Sequence, residues 1–567
     1  MKKLLTASFI LTAISILAFN FLIYKEPKAS ADSATTSVEI QNIVPAFSGN
    51  AAESTASTAT VPTNVGGAIT FQAIATDANA DQWKLLICKT AGTTGTDCDG
   101  GATDRWCVAT SFVNSGSQST CTYTTQSGDS WSNAWFAYGC DATGCTATAN
   151  QGTGDSGTPF YTNHAPAFSA ASDDSGKNPG QTVTWSTTSS DADTSATVTL
   201  YVCKASGFTG GASPACTNGE WCHSTAASSN ATCGYSIPSV YPDANYSSYV
   251  YIVDQFGFVS SGTAQGTDTT LTVNNVAPSI TASTISLQDT DGSGDLTLTT
   301  SSGDTTGFKV AFTVTDNNSC ETSTSGNEIS SAFINVYRSG VTSANCDESA
   351  NYDVDKCYPD ASASWTPSCT QDTGSCSGTT DSAVTWTCTF PLGYTADPTV
   401  ASATYAAENW LASVQATDDD SANTGLVQAS TGTEMGMFLS YDVTTESISY
   451  GALNPGGDST ETSTVMQAKG NVGVDEQLSG TNMTSGGNTI AVGQQKYNLT
   501  AAQGWAAGTA LTTNPAEVEI NVAKPKTGAL TPTKSTYWVL RVPASQATGT
   551  YSGSNTITGL TGESAGW

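Results

Sequence analysis

One pattern occurs three times in this chain, and it restricts the fold more than any other feature. Lys84-Leu-Leu-Ile-Cys-Lys89, then Trp106-Cys107 and Cys121-Thr-Tyr123, returns as Thr199-Leu-Tyr-Val-Cys-Lys204, Trp221-Cys222 and Cys233-Gly-Tyr235. A looser third copy reads Ile334-Asn-Val-Tyr-Arg338, Lys356-Cys357 and Cys388-Thr-Phe390. Three copies of one pattern mean three copies of one structural module. Trp83, Leu85 and Ile87 match Val198, Leu200 and Val202, and then Ala332, Ile334 and Val336. These positions alternate, so they face one way on a β-strand, toward a core. Cys88 and Cys203 have the opposite parity, which predicts bridges outside the sandwich core that staple loops to a sheet.

The sixteen cysteines divide as six, four and six among the three modules, and the rest of the chain has none. With two His and no short paired Cys-x-x-Cys sets, disulfides in an oxidising compartment are the better account than zinc. Cys140 and Cys145 align with Val253 and Phe258 of the second module, so they are expected to bond to each other. The shared four pair in order: Cys88–Cys98 with Cys107–Cys121, and Cys203–Cys216 with Cys222–Cys233. In the third module Tyr337 replaces the first cysteine. The expected set there is Cys320–Cys346, Cys357–Cys388 and a local Cys369–Cys376.

At 567 residues the chain exceeds one core. Ser, Thr, Gly and Ala dominate, and only 12% of residues are charged, which fits short polar strands and turns. The expected class is all-β: an extended array of about four Ig-like β-sandwich domains after an N-terminal signal or anchor helix. Met1-Lys-Lys3, the apolar run 4–24 and Ala29-Ser-Ala31 read as an export segment over 1–31. An uncleaved anchor is the alternative, and membrane contact is expected only through this segment. The modules follow as 32–163, 164–276 and a longer 277–440, with a cysteine-free sandwich over 441–567. A formal charge of −31 argues against nucleic acid or anionic lipid as partners.

Each module opens on a similar junction: Asn42-Ile-Val-Pro-Ala-Phe47, Asn163-His-Ala-Pro-Ala-Phe168 and Asn275-Val-Ala-Pro-Ser-Ile280. Each carries an acidic pair at matched positions, Asp77 and Asn79, Asp191 and Asp193, Asp316 and Asn318. Each closes on a strand ending in Asp, at Asp141, Asp254 and Asp418. Over residues 42–440 this combination resembles bacterial secreted surface proteins with tandem immunoglobulin-, fibronectin- or cadherin-like repeats. The resemblance implies non-catalytic work at the cell surface. True cadherin repeats also carry an Asp-Arg-Glu motif that bridges calcium across the linker, and this sequence lacks it. The acidic pairs are therefore read both as calcium ligands and as plain Asx-turn residues.

The most calcium-like stretch is Asp289-Thr-Asp-Gly-Ser-Gly-Asp295. Asp289, Asp291, Ser293 and Asp295 take positions 1, 3, 5 and 7 of an EF-hand-type loop, with Gly294 sixth. Thr300 stands where the bidentate Glu belongs, so weak Ca2+ binding or an ordinary acidic hairpin is expected. Catalytic motifs are lacking: His164 and His223 belong to no repeated constellation, and no phosphate loop or zinc-protease motif occurs. Trp106, Trp221, Trp131 and Trp135 are read either as core packing or as a sugar-stacking face. The expected function is extracellular adhesion or structural spacing, with a carbohydrate-binding array second and a secreted hydrolase third. Expected partners are cell-surface proteins or glycans, together with self-association.

Overall fold

A computed structural model describes residues 36–147, 159–563 and 567; the expected export segment over 1–31 lies outside the described residues. The described residues are nearly all strand, turn and loop, with one short α-helix at Gly504–Ala507. No helix among them is long and apolar enough to cross a membrane. The chain divides into two compact units between Tyr161 and Thr162. The first holds one sandwich. The second holds three.

In the first sandwich the strand Ala68–Thr76 alternates buried and exposed side chains, as a strand with one wet face must. It pairs with Ala46–Phe47, Ala52–Glu53 and Gln118–Thr124. The facing sheet runs Phe136–Cys140, Lys84–Cys88, Arg105–Val108. Trp83, Leu85 and Ile87 join Phe71, Trp135 and Phe160 in the core between the sheets, while Leu86 and Cys88 form a second apolar cluster with Cys98, Tyr138 and Cys140. The parity in the sequence therefore separates an inner face from an outer one. Truncating a fully buried ring such as Phe71 to Ala would cost about 3–5 kcal/mol.

The second sandwich repeats this plan. Ala167–Asp173, Thr182–Ser190 and Thr232–Ser236 face Glu220–His223, Val198–Cys203 and Tyr249–Asp254 across a core centred on Trp185, Leu200 and Ile252. The third is larger, with five strands built on Asp304–Thr315 and Ala383–Gly393 against four built on Ile329–Arg338 and Trp410–Asp418. The fourth sets a five-stranded sheet around Thr533–Leu540 against Ala516–Val522, Val474–Gly480 and Asn555–Thr561.

The bridges Cys88–Cys98, Cys107–Cys121, Cys140–Cys145, Cys203–Cys216 and Cys222–Cys233 are present. Not all of them staple loops. Cys107–Cys121 and Cys222–Cys233 join a strand of one sheet to a strand of the other, because their half-cystines sit on Arg105–Val108 and Gln118–Thr124, and on Glu220–His223 and Thr232–Ser236.

The third sandwich corrects the expected connectivity. Its bridges are Cys320–Cys376, Cys346–Cys357 and Cys369–Cys388, in place of Cys320–Cys346, Cys357–Cys388 and Cys369–Cys376. The reason lies in strand register. Cys369 and Cys388 stand directly opposite on paired strands, and Cys357 pairs with Tyr337, which packs against Cys346 on the outer face.

Candidate functional site

The three motifs that recur in the sequence converge at the head of each of the first three sandwiches. The side-chain amide of the linker Asn donates to the Asp that closes the last strand: Asn42 to Asp141 at 2.7 Å, Asn163 to Asp254 at 2.7 Å, Asn275 to Asp418 at 3.1 Å. The backbone N–H one residue on donates to the second member of the acidic pair: Ile43 to Asn79, His164 to Asp193 and Val276 to Asn318. That residue's own N–H donates to the first member, at Asp77, Asp191 and Asp316. The chain entering each sandwich is thus clamped to its sheet by hydrogen bonds to carboxylate or amide oxygens, a stronger class where the acceptor is charged.

The clamp explains why the closing strand ends in Asp. Asp254 Oδ1 also accepts from the N–H groups of Phe256 and Phe258, and the tight turn requires Gly257 at φ +81°, where an added Cβ would fall 1.9 Å from the Gly211 carbonyl oxygen. Burial alone would raise the Asp141 carboxyl, but hydrogen bonds from Asn42, Thr143 and Gly144 hold it below its ordinary value.

One oxygen is left over at the same place in all three modules. Oδ2 of Asp77, of Asp191 and of Asp316 is shut from solvent and finds no hydrogen-bond partner. A buried carboxylate oxygen in this state costs free energy unless something cationic or protonated meets it. In the second sandwich His164 Nδ1 lies 2.7 Å from Asp193 Oδ1, so this imidazole, whose place is taken by Ile43 and Val276 in the other two modules, joins the cluster in one module alone. Burial pushes the Asp191 carboxyl up to about 6.

The third head is the most loaded. Tyr241 N–H of the second sandwich donates to the Asn317 carbonyl, and Asn318 Nδ2 donates to the carbonyls of Asn274 and Tyr241, so the two sandwiches are joined there. Asp243 comes with that loop. Glu328 is fully buried, and neither of its carboxylate oxygens has a hydrogen-bond partner. Burial, then the charges of Asp419, Asp243, Asp316 and Asp418, push Glu328 up to about 9. Burial likewise takes Asp316 to about 7, with the same acids adding to it. Asp243 is raised by burial and by its neighbour Asp420. Six carboxyl groups share this joint, and the four charges that act most on Glu328 have its own sign.

The loop 289–295 is built differently. Asp289 Oδ2 accepts from Ser293 Oγ at 3.0 Å and Asp291 Oδ1 from Ser293 N–H at 2.8 Å, while Asp289 Oδ1 accepts from Thr297 N–H. Asp291, Ser293 and Asp295 are exposed. This is an acidic turn after the strand Ser286–Asp289, with Asp289 and Asp291 already accepting from Ser293 and Thr297.

Trp106, Trp131, Trp135 and Trp221 go inward or against aromatic neighbours. Trp135 is fully buried, Trp106 packs edge-on to Tyr123 and Phe160, Trp221 packs on Tyr235, and Trp131 packs on Tyr161. Among the described residues Phe112 is the one aromatic side chain in the set of exposed large hydrophobics. His223 stacks on Tyr201 beside Glu220, away from the clamp.

No family model and no curated protein matches the chain. Among solved structures, it is similar to a Dpr2 Ig1–Ig2 complex with DIP-Theta Ig1–Ig3 at 8% identity, covering 68% of this chain and 99% of that one, with a TM-score of 0.25. A marsupial T cell receptor aligns at 9% identity over 64% of this chain and 95% of its own, with a TM-score of 0.25. A putative membrane anchored protein from Corynebacterium diphtheriae aligns at 10% identity over 68% and 90%, with a TM-score of 0.15. At such scores none of them bears on function.

Proposed function

We propose that this chain is an exported cell-surface or extracellular protein that works in adhesion or as a spacer, and that calcium stiffens the joint between its second and third sandwiches. Eight disulfides with no free cysteine support the compartment, since such bonds persist where the surroundings are oxidising. Sandwich modules clamped at their heads support a role in holding surfaces in place. The observation that carries the calcium reading is the buried pair Asp316 and Glu328, whose unpartnered oxygens lie in an all-acid neighbourhood. Carboxylates and amide carbonyls without nitrogen or sulfur ligands suit a hard divalent cation, and calcium tolerates their irregular geometry. The ion would draw the exposed Asp419 and Asp420 toward Asp316 and Glu328.

The test is a binding screen of the mature chain against whole cells, surface proteins and glycans, in calcium and in chelator, beside immunolocalisation. The expected result is protein outside the cell and saturable binding that chelator weakens. Reduced protein in the cytosol, or turnover of a polymer substrate, would contradict the reading.

A further inference from the structure

A second carboxylate cluster lies in the fourth sandwich, on strands that take no part in the clamps. Asp475, Glu519 and Glu563 each offer an oxygen, and the three oxygens lie within 4.8 Å of one another. Asp475 stands on Val474–Gly480, the middle strand of its sheet; Glu519 is on the neighbouring Ala516–Val522, and Glu563 follows the strand Asn555–Thr561 on the other side.

The local backbone is shaped around Asp475. The pairing of Val474–Gly480 with Ala516–Val522 slips between Val474 and Glu476, and Asn521 adopts a left-handed φ of 55°. A bulge of this kind re-aims a side chain. Here it brings Asn521 N–H to 2.6 Å from Asp475 Oδ1. The other oxygen, Oδ2, is buried without a hydrogen-bond partner in a residue that is 0% exposed. Exposed acids such as Glu519 and Glu563 need no explanation by themselves. A fully buried carboxylate oxygen with no donor, beside two further carboxylates, does need one.

We infer that Asp475, Glu519 and Glu563 hold a divalent cation of the calcium class, which ties the three strands of this sheet together. Three carboxylates with no His or Cys select hard cations over zinc or copper. Two of the three ligands are exposed, so water completes the shell and affinity is modest.

The structure supplies a reporter. Trp567 Nε1 donates to the Gly562 carbonyl at 3.0 Å, and its ring lies against Gly473, so an indole stands next to the cluster. Terbium(III), a luminescent stand-in for calcium, should therefore be sensitised by Trp567 when added to the full-length mature protein. The expected result is a Trp567-dependent share of the indole-excited emission, the part lost in Trp567→Phe, that calcium competes away and that weakens by roughly tenfold in affinity in Glu519→Gln. Glu519 is exposed, so its substitution leaves folding intact. Because Asp475→Asn removes a buried acceptor, it is checked by circular dichroism before titration. Glu328→Gln, in the third sandwich, should leave the Trp567-dependent signal unchanged, which separates failure of this site from failure of the joint. An emission titration that is the same in the native chain and in Trp567→Phe, or a Trp567-dependent share that survives Glu519→Gln at full affinity, would overturn the assignment.

Discussion

Lys524 Nζ lies 3.1 Å from Asp397 Oδ1, both groups buried, where the fourth sandwich meets the third. The same ammonium donates to the Thr395 carbonyl, and Arg338 holds the other side of Asp397 at 3.2 Å. Asn471 adds hydrogen bonds to the carbonyls of Ala396 and Gly436. This joint brings its own cations. The joint between the second and third sandwiches gathers more acids, and the charges that act most on its buried Glu328 are negative. That contrast is the physical basis for proposing calcium at the one joint and not at the other.

Lys524→Met should therefore be costly. Burial raises the Asp397 carboxyl, and Lys524 and Arg338 oppose that rise. Removing the ammonium leaves buried charge with half its compensation, a loss of about 3–5 kcal/mol. Denaturant unfolding should show a lower midpoint for the transition of the third and fourth sandwiches, and an unchanged midpoint would mean that the pair contributes nothing net.

Glu328→Gln should change sign with the buffer. In chelator it removes a buried, unpartnered acid and should stabilise by about 1–3 kcal/mol. In 10 mM calcium the third-sandwich transition of the native chain should gain about 1–3 kcal/mol by mass action at a dissociation constant on the order of 10⁻⁴–10⁻³ M, and that of the variant should not. Thermal melts of both proteins in both buffers decide it; a variant that is destabilised in chelator refutes the account of Glu328.

The pH dependence follows from the same groups. Asp316 and Glu328 are raised from 3.8 and 4.5 to about 7 and about 9. A raised acid keeps its proton in the folded state where the unfolded chain has already released it, so stability is greatest at low pH and declines as pH climbs through the folded value. Without calcium, the melting temperature of the third sandwich should fall between pH 5 and pH 9. Acids held low, such as Asp141, act below about pH 4, outside this window. Calcium should flatten the decline by displacing those protons. A melting temperature that rises across the range in chelator would be incompatible with buried, unpaired acids.

Much of this was legible in the residues. Alternation at Trp83, Leu85 and Ile87 marks the inner face, and the recurrence of Asn, Asp-x-Asx and a closing Asp marks the parts of the clamp. What the sequence hid was distance. Asp243, Glu328 and Asp420 lie in separate segments, and only the docking of the 241–243 loop on Asn317 and Asn318 brings them to one place. Register was hidden too: that Cys369 faces Cys388 depends on how two strands slide, which residue spacing does not encode. The cluster at Asp475 has no local signature, because its members come from three strands.

Asp289→Ala serves as the control for where calcium acts. Its loop looks the more calcium-like in sequence, yet Asp289 and Asp291 are engaged with Ser293 and Thr297. The calcium-dependent rise in melting temperature should be the same in Asp289→Ala and in the native chain. A rise that disappears with this substitution would move the site from the joint to the loop.

The most direct test is hydrogen exchange of the mature chain, read by peptide mass spectrometry in calcium and in chelator. The account predicts that calcium slows exchange over 241–243, 316–320 and 418–422, the segments that carry the joint's carboxylates, and that Glu328→Gln removes the effect. Equal exchange at these segments in both buffers would contradict it.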